Sequence, residues 1–376
     1  MKDLNKLKRK VFAKNNFWNF TTVLIGALFV AGGLGLETNV VQHVGILVGI
    51  LLLMLAYIWN KKIVLPRYKL LYLIFIFLFG LSIFWSEDKE VSCEYLVLFI
   101  GGGLFWVSFY NLRKELGGRI DALVIILGLI FGGLFIVSLL VGAEIVNSKS
   151  LYLQASGYRN HNHLGDLWAV VMLMASYYLI KTKKRLYWPV VGLGIFFLAA
   201  SLSRAAYLAL FLGGIYLFKQ LDWFKKRKRI YRLGGVIIVI LFLFAGAQKI
   251  TLFSRPYFIQ GIAGFFHNPL GVGVGNFKII SSDSANHLWG MDGFSSLAHN
   301  IILEILTGMG VFGFSFVIWL IAVLWDIGKK KRTEKNILYQ SLFIALGINF
   351  LFSTTYFIPT MLWLWFGYLG ISQIDN

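Results

Sequence analysis

Charge is scarce in this sequence, and cysteine is almost absent. Only 14% of its 376 residues are charged, against 58% hydrophobic. A chain of this length cannot hide so much apolar area inside a soluble domain, so that class is excluded. The one cysteine, Cys93, rules out an internal disulfide and any cysteine-built metal site. Internal repeats are not evident, which removes the inverted-repeat argument for a transporter. The opening stretch MKDLNKLKRKVFAKNN runs into a full-length apolar segment without a small-residue cleavage site, so no removed signal peptide is expected.

What remains is a succession of apolar runs, each long enough to cross a hydrocarbon core. They predict an all-α, polytopic membrane protein, a single membrane domain over 1–376. Twelve spans are expected, near 17–36, 40–59, 68–85, 91–110, 120–141, 163–180, 187–202, 205–221, 230–248, 300–325, 336–353 and 355–372. With the N-terminus inside, the intervening cytoplasmic segments carry 29 of the 36 Lys and Arg residues. That asymmetry satisfies the positive-inside rule and places both termini in the cytoplasm. The formal charge of +19 is therefore a topology signal, and nucleic acid is not an expected partner.

The expected cytoplasmic loops are short and basic, with no phosphate-binding or catalytic module. Two outer segments are richer, about 142–162 and 249–299. The second, with its glycines, aromatics and short helical patterns, reads as a folded lid.

Seven cations fall on the outer side, Arg159, Arg204 and Arg255 among them. Arg204 sits in AASLSRAAYLAL and Arg255 in LFSRPYFIQG, each beside an apolar segment. One such arginine is most simply an interfacial anchor. Two on the depleted side favour an anion, because guanidinium groups hold phosphate oxygens in a bidentate fork. His299 opens the helix of SSLAHNIILEILTGMGVFG. At the positive end of a helix dipole its ring stays neutral, as a general base requires. The plainer reading is a histidine that caps a helix at the interface. Asn300 and Glu304 are four apart and share a face, placed to orient an acceptor or to stabilise one another.

A third constellation is GYRNHNHLGDLWAV. Asn160, His161, Asn162 and His163 lead into a span, and Asp166 follows in its first turn. Two histidines without further ligands at a familiar spacing argue against a metal. A hydrogen-bonding shelf for sugar or phosphate oxygens fits better. Asp166 inside a membrane needs a partner, with Arg204 or Arg159 the nearest candidates. The glycines of HNPLGVGVGNF lack the strand–helix context of a nucleotide loop. They read as a tight turn, or as a close backbone approach to the cleft. His267 and His287 have no assigned role.

Together, GYRNHNHLG, SLSRAAYLAL, SRPYFIQGIAGFFHNPLGVGVGNF and AHNIILEILTGMGVFG resemble the bacterial O-antigen ligase and polymerase superfamily, over residues 150–330. The resemblance implies a membrane glycosyltransferase of GT-C-like architecture, needing no metal and no cofactor. It would act at the periplasmic or outer face of the cytoplasmic membrane, with undecaprenyl-diphosphate-linked glycan as donor. The acceptor would be a hydroxyl of lipid A-core, a glycan or a protein, attacked with inversion at the anomeric centre. By motif position His299 would deprotonate that hydroxyl while Arg204 and Arg255 bind the diphosphate. Arg159 stands where the pattern more often has an uncharged residue and would add a further contact. Asn160, Asn162, His163, Asp166, Asn300 and Glu304 would orient substrate.

A transporter or flippase of lipid-linked sugars is the rival from another class. It calls for polar residues deep in several spans, whereas here midspan charge is nearly absent and the polar groups gather at one face. A purely structural membrane protein leaves the arginine–histidine set unexplained.

Overall fold

The computed structural model describes residues 18–19, 21–30, 38–140, 161–221, 256–288, 293–329 and 333–373. Among them all regular structure is helical. After a helical stretch Thr21–Val30 come α1 (Thr38–Asn60), α2 (Lys69–Ser82), α3 (Lys89–Leu140), α4 (His161–Thr182), α5 (Tyr187–Ser201) and α6 (Arg204–Gln220). Then follow α7 (Pro256–His267), α8 (Phe277–Ser282), α9 (Ile301–Met309), α10 (Phe314–Lys329), α11 (Glu334–Phe352) and α12 (Pro359–Ser372). Apolar runs of this kind become helices because a chain in hydrocarbon must satisfy its own backbone N–H and C=O groups.

Five helical stretches among the described residues are long and apolar enough to cross a membrane: Val40–Asn60, Lys89–Val137, Asn162–Thr182, Ile301–Gly328 and Glu334–Phe352. Other expected spans are shorter. α5 has 15 residues, and α12, expected over 355–372, has 14. The expected span 230–248 lies outside the described residues.

The segments expected at 91–110 and 120–141 join in the 52 residues of α3. A straight helix of that length would measure about 78 Å, more than twice a hydrocarbon core of roughly 30 Å. Its contacts show that the chain turns back. The Trp363 indole donates to Leu98 O at 3.0 Å and the Trp106 indole to Gln373 Oε1 at 3.3 Å, so the first half runs parallel to α12. Further on, Asp121 accepts from Tyr178, Gly128 faces Val171 and Gly132 faces Trp168, so the second half is antiparallel to α4. α4 and α12 themselves run the same way, each antiparallel to α11. Tyr339 meets Asp121 and Tyr368, while Asn349 meets Asp166. The reversal therefore falls between Trp106 and Asp121.

Every residue of α12 is buried, which makes this helix the axis of the bundle. Its large rings lock into small residues of α3. A Cβ added at Gly101 would come within 2.7 Å of Trp363, and one at Gly102 within 2.5 Å of Phe366. Such interlocking matters because van der Waals fit, rather than exclusion from water, holds helices together in a bilayer. Across the core, Phe343 stacks on Trp365 at 4.7 Å.

The expected span 300–325 is interrupted. α9 ends at Gly310, which has φ +58°, and a 3-10 turn, Gly310–Gly313, leads into α10. The cause is the glycine loop. Val272 N–H donates to Thr307 O (3.0 Å), Gly273 N–H to Gly308 O (2.8 Å) and Val311 N–H to Pro269 O (2.8 Å). Gly273 has φ +93°, and a Cβ there would overlap Ser86 Oγ. These glycines thus let the loop dock onto the end of α9 and the approach to α3.

Candidate functional site

Three of the singled-out stretches meet at one end of the bundle: the start of α4, the α5–α6 junction and the approach to α9. Between them lies the turn linking α11 to α12, Ser353–Ile358.

The first cluster forms around Asp166, which is fully buried. Its Oδ2 accepts from Thr355 Oγ1 and its Oδ1 from Ser203 Oγ at 3.4 Å. Ser353 and Thr355 share a hydroxyl hydrogen bond at 2.8 Å. Ser203 also caps α6, accepting from Ala206 N–H at 3.3 Å. Arg204 is the next residue, the first of α6, and is half-buried. A cation at the positive end of a helix dipole is unfavourably placed by itself, and the neighbouring Asp166 carboxylate eases that field. Two hydroxyls thus donate to the Asp166 carboxyl group. Gly165 permits the approach, since a Cβ there would overlap Ser201 Oγ. One turn back, His163 Nε2 lies 3.1 Å from Thr354 Oγ1, and its ring stands edge-on to Phe357. Asn162 is half-buried in the same turn.

The second cluster holds His299. Its backbone is left-handed, φ +54°, a conformation uncommon outside glycine, although asparagine, aspartate and histidine adopt it more often than other residues. The ring stacks on Tyr257 of α7, centroids 4.5 Å apart. Both flanks are pinned. Before it, Ala298 N–H donates to Glu304 Oε2 at 2.8 Å. After it, Asn300 is the N-cap of α9, its Oδ1 accepting from Ile302 and Leu303 N–H (2.9 and 3.0 Å) while its Nδ2 donates to Leu351 O at 3.1 Å. The helix therefore begins at Ile301, and His299, expected to open it, stands just ahead of its cap. Asn300 and Glu304, expected to orient substrate, spend these bonds on the protein itself. Strained residues persist where the surroundings over-determine them, often at functional sites.

The clusters are joined through consecutive residues. Thr355 bonds Asp166, and Tyr356 donates to Glu304 Oε2 at 2.8 Å. Arg159, Arg255 and Asn160 lie outside the described residues, as does the side chain of His161. His267 and His287 brace the segment 256–288 internally. His267 Nδ1 lies 2.8 Å from Asn286 Oδ1, and His287 Nε2 2.9 Å from Ser281 O.

Tyr257 and the run Ser353–Tyr356 escaped the sequence reading. The run had a signal: consecutive hydroxyl residues between two apolar stretches, at the side where the histidine and arginines gather.

Comparison with family models, curated proteins and solved structures found no match for this chain.

Proposed function

We propose that this protein is a membrane glycosyltransferase. It moves a glycan from undecaprenyl diphosphate to an acceptor hydroxyl at the outer face of the cytoplasmic membrane. The acceptor oxygen attacks the anomeric carbon, and the bond from that carbon to the diphosphate oxygen breaks. The proton of the acceptor passes to His299, and undecaprenyl diphosphate leaves with the bonding pair. Arg204, with Arg255 and Arg159, holds the diphosphate. Offsetting its growing charge is where most of the rate gain would arise.

One observation carries this reading: motif stretches far apart in sequence converge at one end of the bundle. His299 is held there in a strained conformation, and Arg204 sits beside a buried carboxylate network. Asn162, His163 and Asp166 form the adjoining polar shelf. Glu304 and Asn300 fix the backbone on which His299 rides.

The test is transfer from an undecaprenyl-diphosphate-linked glycan by the purified chain in liposomes, without nucleotide, beside His299→Ala. Consumption of donor by the wild type and none by the variant is the expected result. Full activity in His299→Ala would remove the histidine from the mechanism.

A further inference from the structure

A cavity lies at the opposite end of the bundle, away from His299. It has a volume of about 810 Å³ and opens between the segment after α1 and the turn of α3. Its lining includes Tyr110 and Asn111 from that turn, and Gln373 just beyond the C-terminal end of α12.

Cations dominate its wall. Arg67 is neutralised by Asp326, Nη1 to Oδ1 at 2.7 Å. Arg113 is held over the Tyr110 ring, 4.7 Å from its centroid, and donates to Tyr110 O. Lys62, Lys69 and Lys114 complete the set, against the single further acid Glu115. Among the described residues these three lysines make no ion pair. Tyr68, at φ +64°, gives the first turn of α2 no side-chain cap, and residues 68–71 line the same cavity. The uncapped amides of a helix start favour anions.

Leu65 and Leu70 also line the cavity, 48% and 66% exposed, beside the exposed Lys62, Lys69 and Lys114. Cations interleaved with exposed leucines, at the end of a membrane bundle, match a phosphate that carries acyl chains better than a free ion.

We propose that this cavity binds the phosphate headgroup of an anionic membrane lipid. Basic pockets between helices on the cytoplasmic side are suited to such headgroups, each lysine strengthening binding about fivefold. The proposal does not depend on glycan transfer at the other end.

The test is native mass spectrometry of the full chain titrated with short-chain phosphatidylglycerol, phosphatidylcholine or inorganic phosphate. The triple variant Lys62→Gln, Lys69→Gln, Lys114→Gln should bind phosphatidylglycerol about a hundredfold more weakly. The control triple Lys183→Gln, Lys184→Gln, Arg185→Gln removes the same charge at the same end, outside the cavity, and should bind as the wild type does. Equal weakening in both triples would reduce the effect to general surface charge and overturn the site. Equal binding of phosphatidylcholine would overturn it too, as would displacement of phosphatidylglycerol by inorganic phosphate at equal concentration. Thermal midpoints in phosphatidylcholine establish that both triples are folded.

Discussion

Tyr356 and Ala298 converge on one oxygen: the phenol and the backbone amide each donate to Glu304 Oε2 at 2.8 Å. The contact ties the α11–α12 turn to the residue before His299. Glu304 thereby fixes the backbone just before His299.

Tyr356→Phe keeps the ring and removes one donor, a loss of about 1 kcal/mol. If Glu304 sets the position of His299, kcat for glycan transfer should fall about fivefold with KM unchanged. A variant that loses only thermal stability, with kcat intact, would make the contact merely structural.

At His299 the left-handed backbone separates folding from chemistry. His299→Gly and His299→Asn suit φ +54°, so their thermal midpoints should equal or exceed that of the wild type. His299→Val should be destabilised by roughly 1–2 kcal/mol. All three should be inactive. Midpoints ranked the other way would mean that the strain is not borne in the folded protein.

Thr355→Val deprives a fully buried carboxylate of a donor, at a cost of about 1–3 kcal/mol. Combining it with Asp166→Leu should cost less than the sum of the single changes, since the unpaired group is then gone. Strict additivity in denaturation measurements would show that the two side chains do not interact.

An acid-sensitive contact ties the segment before α3 to α8. Asp88 accepts from Val91 N–H at 3.3 Å and from Lys278 at 3.2 Å. The Val91 amide first, and then Lys278, hold its carboxyl below the ordinary value of 3.8. A depressed acid contributes stability that is complete above 3.8 and is lost as pH falls through the depressed value. The thermal midpoint of Asp88→Asn should lie below that of the wild type at neutral pH and meet it on strong acidification. A gap independent of pH would rule out the ionised form as its cause.

Much of the helix pattern was legible, because each apolar run must close its own hydrogen bonds in hydrocarbon. The breaks were less so. The interruption at Gly310 arises from a loop 40 residues earlier, Pro269 to Gly273, bonding to the end of α9. Helical periodicity carries no trace of such a contact. Of the candidate site, His299, Arg204 and Asp166 stood out as polar residues in apolar surroundings, whereas Tyr257 looked like any interfacial aromatic.

The sequence by itself determined that this is an all-helical protein built of apolar segments, with its polar chemistry confined to their ends. Composition and run length suffice for that, since burying so many apolar side chains in water is impossible. The reversal between the spans 91–110 and 120–141 was also legible there; only the tertiary structure decided that Thr355 and Tyr356 join the two clusters and that Asn300 and Glu304 serve the backbone of His299. Those outcomes depend on which side chains meet across helices. Hydrogen-bond partners 52 and 189 residues apart are chosen by packing in three dimensions, which no local pattern encodes.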